Sequence, residues 1–286
     1  MQIVSVLSTI FFLLVLAVPA QTQTVCTPES RERLETFLER LSGENVQEKN
    51  INGLLMEIGS WFLGTPYVEK TLELPGPERL VVNLTGLDCT TYLETVLALA
   101  RVAKQGNLRM EAYEKELERI RYQQGKLGEY PSRLHYFTDW IYQNEQKGLV
   151  RDITQLIGGQ PYENKPTFMS SNPKYYAQLN RTDYVEALTE AEKAIAKRSY
   201  FYIPKAEIHR HERQIQSGDL IAITTTLPNL DVVHVGFAVE QGGRIHLMHA
   251  SLTSKEVEIS AKTLQDYLMG NKSQSGIVVS RAVDLD

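Results

Sequence analysis

Hydrophobic residues along the chain follow two different spacings, and the change from one to the other falls near Gly218. Before it, apolar positions recur three and four residues apart. Leu34, Phe37, Leu38 and Leu41 follow Thr27-Pro28, an N-cap with proline at the first helical position, and Gly43 closes the run. A helix over 28–42 is predicted. The same spacing predicts helices over 47–62, 88–104, 107–122 and 183–197, and an aromatic-rich helical stretch over 133–142. Short extended pieces at 72–74 and 80–82 flank the Pro75-Gly76-Pro77 turn, and 158–173 reads as a surface loop. Beyond Gly218 the period falls to two, predicting strands over 219–226, 232–240, 244–251, 256–260 and 277–282. Helices first and strands later, with short turns between the strands, predict an α+β fold with a mainly antiparallel sheet and no dividing linker.

Residues 1–20 break this pattern. Ile10 to Val18 is continuously apolar and is followed by Pro19-Ala20 and a polar stretch, the form of a signal peptide cleaved near Ala20. Uninterrupted apolar character is too short there for a spanning helix. The expectation is an exported protein, periplasmic or secreted, with a single domain over 21–286 that includes an N-terminal helical extension. Gln23-Thr24-Val25 is a poor lipobox, so lipid anchoring at Cys26 is disfavoured. Composition adds an exclusion: a formal net charge of −5 over 286 residues lacks the basic excess of a nucleic-acid-binding protein.

Two cysteines, Cys26 and Cys89, stand in a chain expected to be exported, and a disulfide is the default reading. Local context favours another use for Cys89. Asp88 is a plausible N-cap and Thr91 with Glu94 fits a capping box, which puts Cys89 in the first turn of a helix. Unpaired N–H groups and the positive helix end favour a thiolate there. A small buried residue at a helix start is the competing reading.

A nucleophilic cysteine needs a base and a group to orient that base. Val232 to Val239 alternates, with His234, Gly236 and Ala238 on one face, and Gly242-Gly243 signals a two-residue hairpin. With Gly242-Gly243 as the loop, Gln241 faces Arg244, Gly236 faces His249, and His234 is the diagonal neighbour of His249 at about 7–8 Å. A loop at Gln241-Gly242 would set the two histidines directly opposite. Either loop gives a histidine pair on one face. His246 points the other way and reads as structural. His209 and His211 lack further ligands at a metal-binding spacing. His135, within Ser132 to Trp140, sits either in a polar groove or in an aromatic core helix.

These segments, in order, resemble a known family: Phe62 to Tyr67, Leu87 to Thr91, Ser132 to Phe137, Ser217 to Ile221, His234 to Gly236 and His249 to Ser251. The family is the N-acetylmuramoyl-L-alanine amidase-like one, a branch of the NlpC-type papain-like cell-wall hydrolases, and the likeness runs from about 62 to 281. It implies a papain-like core with a Cys89-His234-His249 triad, no cofactor and no metal. It further implies hydrolysis of the amide between N-acetylmuramic acid and L-alanine in peptidoglycan or muropeptide fragments. Tyr67, Asp88, Thr90, Arg133, His135 and Tyr136 become the candidate substrate contacts. Val233, where a small polar residue is expected, departs from the pattern. The rival readings are a γ-D-glutamyl–diamino acid endopeptidase of the same fold, a non-catalytic cell-wall binding protein and, more remotely, an acyltransferase acting on lipid.

Overall fold

The computed structural model describes residues 24–43 and 45–285, so the predicted signal segment lies outside the described residues. A two-residue strand, β1 (Val25–Cys26), pairs in parallel with β2 (Val81–Val82). Between them lie α1 (Pro28–Ser42), capped by the Thr27 hydroxyl, and α2 (Ile51–Ser60), capped by the Asn50 carboxamide. That cap is why the helix expected over 47–62 is shorter, with a separate 3₁₀ turn at Val46–Glu48.

Three helices follow: α3 (Cys89–Lys104), α4 (Met110–Arg121) and α5 (Phe137–Gln146). The last starts four residues later than 133–142 suggests, because Arg133 pairs with Tyr122 and the Leu134 amide donates to the Arg121 carbonyl. The expected extended piece at 72–74 is not a strand. The expected loop over 158–173 contains β4 (Gln160–Tyr162) and α6 (Phe168–Ser171), and β3 (Val150–Asp152) precedes it. Then come α7 (Thr182–Ile195), β5 (Tyr200–Pro204) and α8 (Ile208–His211). The C-terminal part carries β6 (Leu220–Thr225), β7 (Val232–Gln241), β8 (Arg244–Ser251), β9 (Glu256–Ile259), α9 (Leu264–Met269) and β10 (Gln274–Ala282).

These strands make an antiparallel sheet in the order β4-β5-β10-β6-β7-β8-β9, with β3 also on β10. Alternation sorts its side chains onto two cores. Val235, Phe237, Val239, Met248 and Ala250 pack against the helical layer, whereas Ile221, Ile223, Ala238, Ile245 and Leu247 meet Leu264 and Leu268 of α9. The helix α3 lies at the centre, buried on every side from Thr91 to Ala103, as its nearly continuous apolar sequence requires. Its buried charges are matched rather than exposed: Glu94 pairs with Arg121 at 2.7 Å, and Arg101 with Glu116 of α4. Among the described residues, no helix is long and apolar enough to cross a membrane.

Candidate active site

Cys89 is the first residue of α3. Asp88 is the N-cap; its carboxylate accepts from the Thr91 amide at 2.8 Å, and the Thr91 hydroxyl accepts from the Asp88 amide at 2.9 Å. Thr91, not Glu94, is therefore the reciprocal member of the capping box. Glu94 turns inward instead, accepting from Arg121 and from Trp140 Nε1. This reciprocal cap fixes the backbone on both sides of the thiol.

The histidines arrive on the β7–β8 hairpin. Gly242 and Gly243 have φ of 59° and 76°, the two positive values that a tight right-twisting hairpin turn needs. Gln241 faces Arg244 and the register runs on to Phe237 opposite Met248, which sets Gly236 against His249. A side chain at 236 would put its Cβ 2.9 Å from the His249 Cβ and 2.7 Å from the Met248 carbonyl. Glycine is required there because the neighbouring strand already occupies the space. His234 and His249 then meet diagonally, His234 Nε2 lying 2.6 Å from His249 Nδ1 with the rings at 87°. Just before His234, the register with β6 shifts between Ile223 and Thr224, a bulge that takes up Val233 and turns the strand where the ring must be aimed.

Helix and hairpin converge at the sulfur. The Val235 amide, next to His234, and Thr90 both make polar contact with the Cys89 thiol. Since His234 Nε2 is engaged by His249, Nδ1 is the ring nitrogen left over. Protonation reverses the expectation of a resting thiolate. Burial, then the Asp88 carboxylate, push the Cys89 pKa up to about 12, and the Val235 and Thr90 contacts only partly offset this. Burial also pulls His234 down to about 4, and burial together with His234 pulls His249 down to about 3. The resting site is thus a neutral thiol beside neutral imidazoles.

Of the other candidate contacts, Tyr67 lies at the site. Its segment pairs with Leu87 and with β9, and burial, then the neighbouring Cys89 and Asp88, raise its pKa to about 12. Asp88 and His135 share the wall of a hollow of about 400 Å³ with Lys70 and Tyr176. His135 Nε2 bonds the Tyr130 carbonyl at 2.9 Å, and burial, then Arg133, hold its pKa down to about 3. Arg133 and Tyr136 are otherwise engaged. The Arg133 guanidinium ties Glu73, Glu78 and the Leu72 carbonyl together, and the buried Tyr136 hydroxyl donates to Glu192 while accepting from the Met169 amide. Arg133 thus shapes the hollow from behind, and Tyr136 belongs to the aromatic cluster under α7.

Two site neighbours escaped the sequence reading. Tyr267 of α9 sets its ring 5.4 Å from His249 and 6.4 Å from His234. Glu258 of β9 is the direct cross-strand partner of His249. Counting back from the turn between 251 and 256 would have found Glu258, whereas Tyr267 sits on a helix too short to show a period. The remaining histidines are structural: His246 bonds the Ser260 carbonyl, His211 the Ile157 carbonyl and His209 the Gln265 side chain. Both cysteines are free, with Cys26 on β1. Among the described residues, no group of three or more His, Cys, Asp or Glu side chains is placed to hold a metal ion.

Fold and site together define an α+β protein with a thiol at the start of its central helix, in contact with the sheet strand that carries one of two paired histidines. The chain belongs to the N-acetylmuramoyl-L-alanine amidase-like (AmiA-like) family, which it matches over residues 57–277. An N-acetylmuramoyl-L-alanine amidase from Bacteroides uniformis is similar at 36% identity, covering 82% of this chain and 99% of that one with a TM-score of 0.78. A Bacteroides fragilis protein provisionally named a xylanase is also 36% identical, over 79% of this chain and 99% of that one, TM-score 0.75. Protein LPG0564 of Legionella pneumophila shares the fold at 23% identity, over 89% of this chain and 96% of that one, TM-score 0.66. No curated protein matches the chain.

Proposed function

We propose that this chain is an exported papain-like cysteine amidase that cleaves the bond between N-acetylmuramic acid and L-alanine in peptidoglycan or its soluble fragments. The observations that support the reading are the polar contact of the Val235 amide, next to His234, with the Cys89 thiol at the start of α3, and the pairing of His234 with His249. Membership of the amidase-like family supports the choice of bond.

The steps follow from the residue types. As the Cys89 sulfur bonds to the amide carbonyl carbon, His234 Nδ1 takes its proton, so that charge separates only during attack. The Cys89 amide at the open helix start stabilises the oxyanion. The C–N bond breaks, the proton on His234 passes to the leaving amine of L-alanine, and a thioester remains. Water activated by His234 then releases the lactyl carboxylate and restores the thiol. His249 holds His234 in place, and Tyr67, Thr90 and the hollow beside Asp88 and His135 receive the substrate. Xylan cleavage would call for a pair of carboxyl groups roughly 5–9.5 Å apart, one on each side of the scissile bond. A thiol and two imidazoles suit amide chemistry better.

Muropeptides incubated with the protein should release a free stem peptide beginning with L-alanine, read by mass spectrometry. Cys89→Ala should stop that release with the fold kept. Release of fragments cut after D-glutamate would instead identify an endopeptidase, and undiminished activity in Cys89→Ala would remove the cysteine from the mechanism.

A further inference from the structure

We propose that Glu258 is a positioning residue that sets the tautomers of both histidines, extending the working set to Cys89-His234-His249-Glu258. The assignment rests on the reading of Cys89 and His234 given above.

Three observations point to it. First, β8 and β9 pair so that His249 and Glu258 stand directly opposite, within the run from Met248–Ile259 to Ser251–Glu256. Directly opposed residues share a face and bring their side chains together. Second, His249 is fully buried and its Nε2 has no hydrogen-bond partner. Third, Glu258 Oε1 lies 3.7 Å from that nitrogen, and among the described residues no lysine or arginine pairs with Glu258. At 3.7 Å the contact is beyond a direct hydrogen bond. The glutamate side chain is about one-third exposed and its terminal torsion is soft, so a small rotation closes the gap.

The consequence is a question of protons. A neutral imidazole has one N–H and one lone pair. With the His249 proton on Nε2, facing the carboxylate, Nδ1 becomes an acceptor. His234 must then donate from Nε2 across the 2.6 Å contact, which leaves its Nδ1 lone pair free for the thiol proton. The opposite arrangement has His249 donate from Nδ1 to His234 Nε2. It protonates His234 at Nδ1, where it can no longer act as a base, and turns the buried His249 Nε2 lone pair toward a negative charge. A carboxylate opposite Nε2 therefore selects the working state of a ring two positions away. It also stabilises the imidazolium that forms on His234 during attack without itself taking a proton.

The test uses the whole chain labelled with ¹⁵N-histidine, as wild type, Glu258→Ala and Glu258→Gln, with His249→Gln to assign signals. NMR at neutral pH should show His234 and His249 both protonated at Nε2 in the wild type. In Glu258→Ala the pair should become mixed or reversed, and Cys89 alkylation by iodoacetamide should slow about tenfold. Glu258→Gln still presents an acceptor oxygen and should restore the tautomers and most of the rate. Identical spectra and alkylation rates in wild type and Glu258→Ala would overturn the proposal, as would a wild-type His249 protonated at Nδ1. If the tautomers follow Glu258 while no muropeptide is turned over, the assigned substrate fails and the positioning role stands.

Discussion

Along α3 lie two groups of buried ionisable side chains that obey opposite rules. Around Glu94 each of the charged groups is matched: Arg121 Nε and Trp140 Nε1 donate to the two carboxylate oxygens, and Arg121 also donates to the Val81 carbonyl. Around Cys89, one turn earlier, His249 Nε2 has no partner, the thiol is pushed up and both imidazoles are pushed down. A charge held by partners on every side is permanent, and it fixes α3 to α4, α5 and β2. A group kept neutral by burial, with hydrogen-bonding capacity left over, can give or receive a proton when a substrate arrives. Buried polarity alone does not mark a site.

The sharpest separation should come from rate. His234→Ala should lower amide hydrolysis by about 10³–10⁴-fold with the melting temperature little changed. Loss of fold with retained turnover would merge the two groups. Glu94→Ala should act in reverse, costing about 3–5 kcal/mol in urea unfolding because Arg121 is left buried and unpaired. Cys89 in the fraction that stays folded should alkylate at the wild-type rate.

Acid should strain the site more than the ion pairs. Unfolded histidine titrates near 6.5, whereas His234 sits at about 4 and His249 and His135 at about 3 in the fold. Below about pH 6.5 the unfolded chain takes up protons that the folded one refuses. The histidine contribution to stability should therefore be level above neutrality and fall as pH drops toward 4, by up to about 1.4 kcal/mol per pH unit for each histidine. His249→Gln should flatten that slope, and an unchanged slope in urea titrations would place the effect elsewhere. The smallest effect concerns the cap. Asp88→Asn keeps an N-cap oxygen but removes the carboxylate that raises the thiol, so the midpoint of pH-dependent Cys89 alkylation should move to lower pH. No movement would leave burial as the whole cause.

How much of this was legible depended on the length of each signal. The helix α1 and the β7–β8 hairpin carried caps, turn glycines and a clear period, so that counting put His234 and His249 on one face, either diagonal or directly opposite, and the structure has the diagonal. The three-residue strands β3 and β4 (Val-Arg-Asp and Gln-Pro-Tyr) have no room for alternation and form only because β10 and β5 offer them partners. Six-residue α9 is similar, held by Leu264 and Leu268 beneath the sheet, and Tyr267 was invisible with it. Arg133 and Tyr136 are a different case. Polar side chains in an aromatic run suggested a ligand groove; Arg133 lines the hollow beside Asp88 and His135 while paired with Glu73 and Glu78, and the Tyr136 hydroxyl is bonded to Glu192. Residue type proposes chemistry, but only the neighbours decide whether any capacity is left for a ligand.

The raised thiol has one more effect, on endurance. A thiolate attacks peroxides and disulfides far faster than a thiol does, so a cysteine that keeps its proton until a substrate is seated is poorly reactive toward both. Thr90, Val235 and the walls around Cys89 therefore shelter the sulfur as well as aim it. On the proposed mechanism, the same protonation limits oxidation of the sulfur between turnovers.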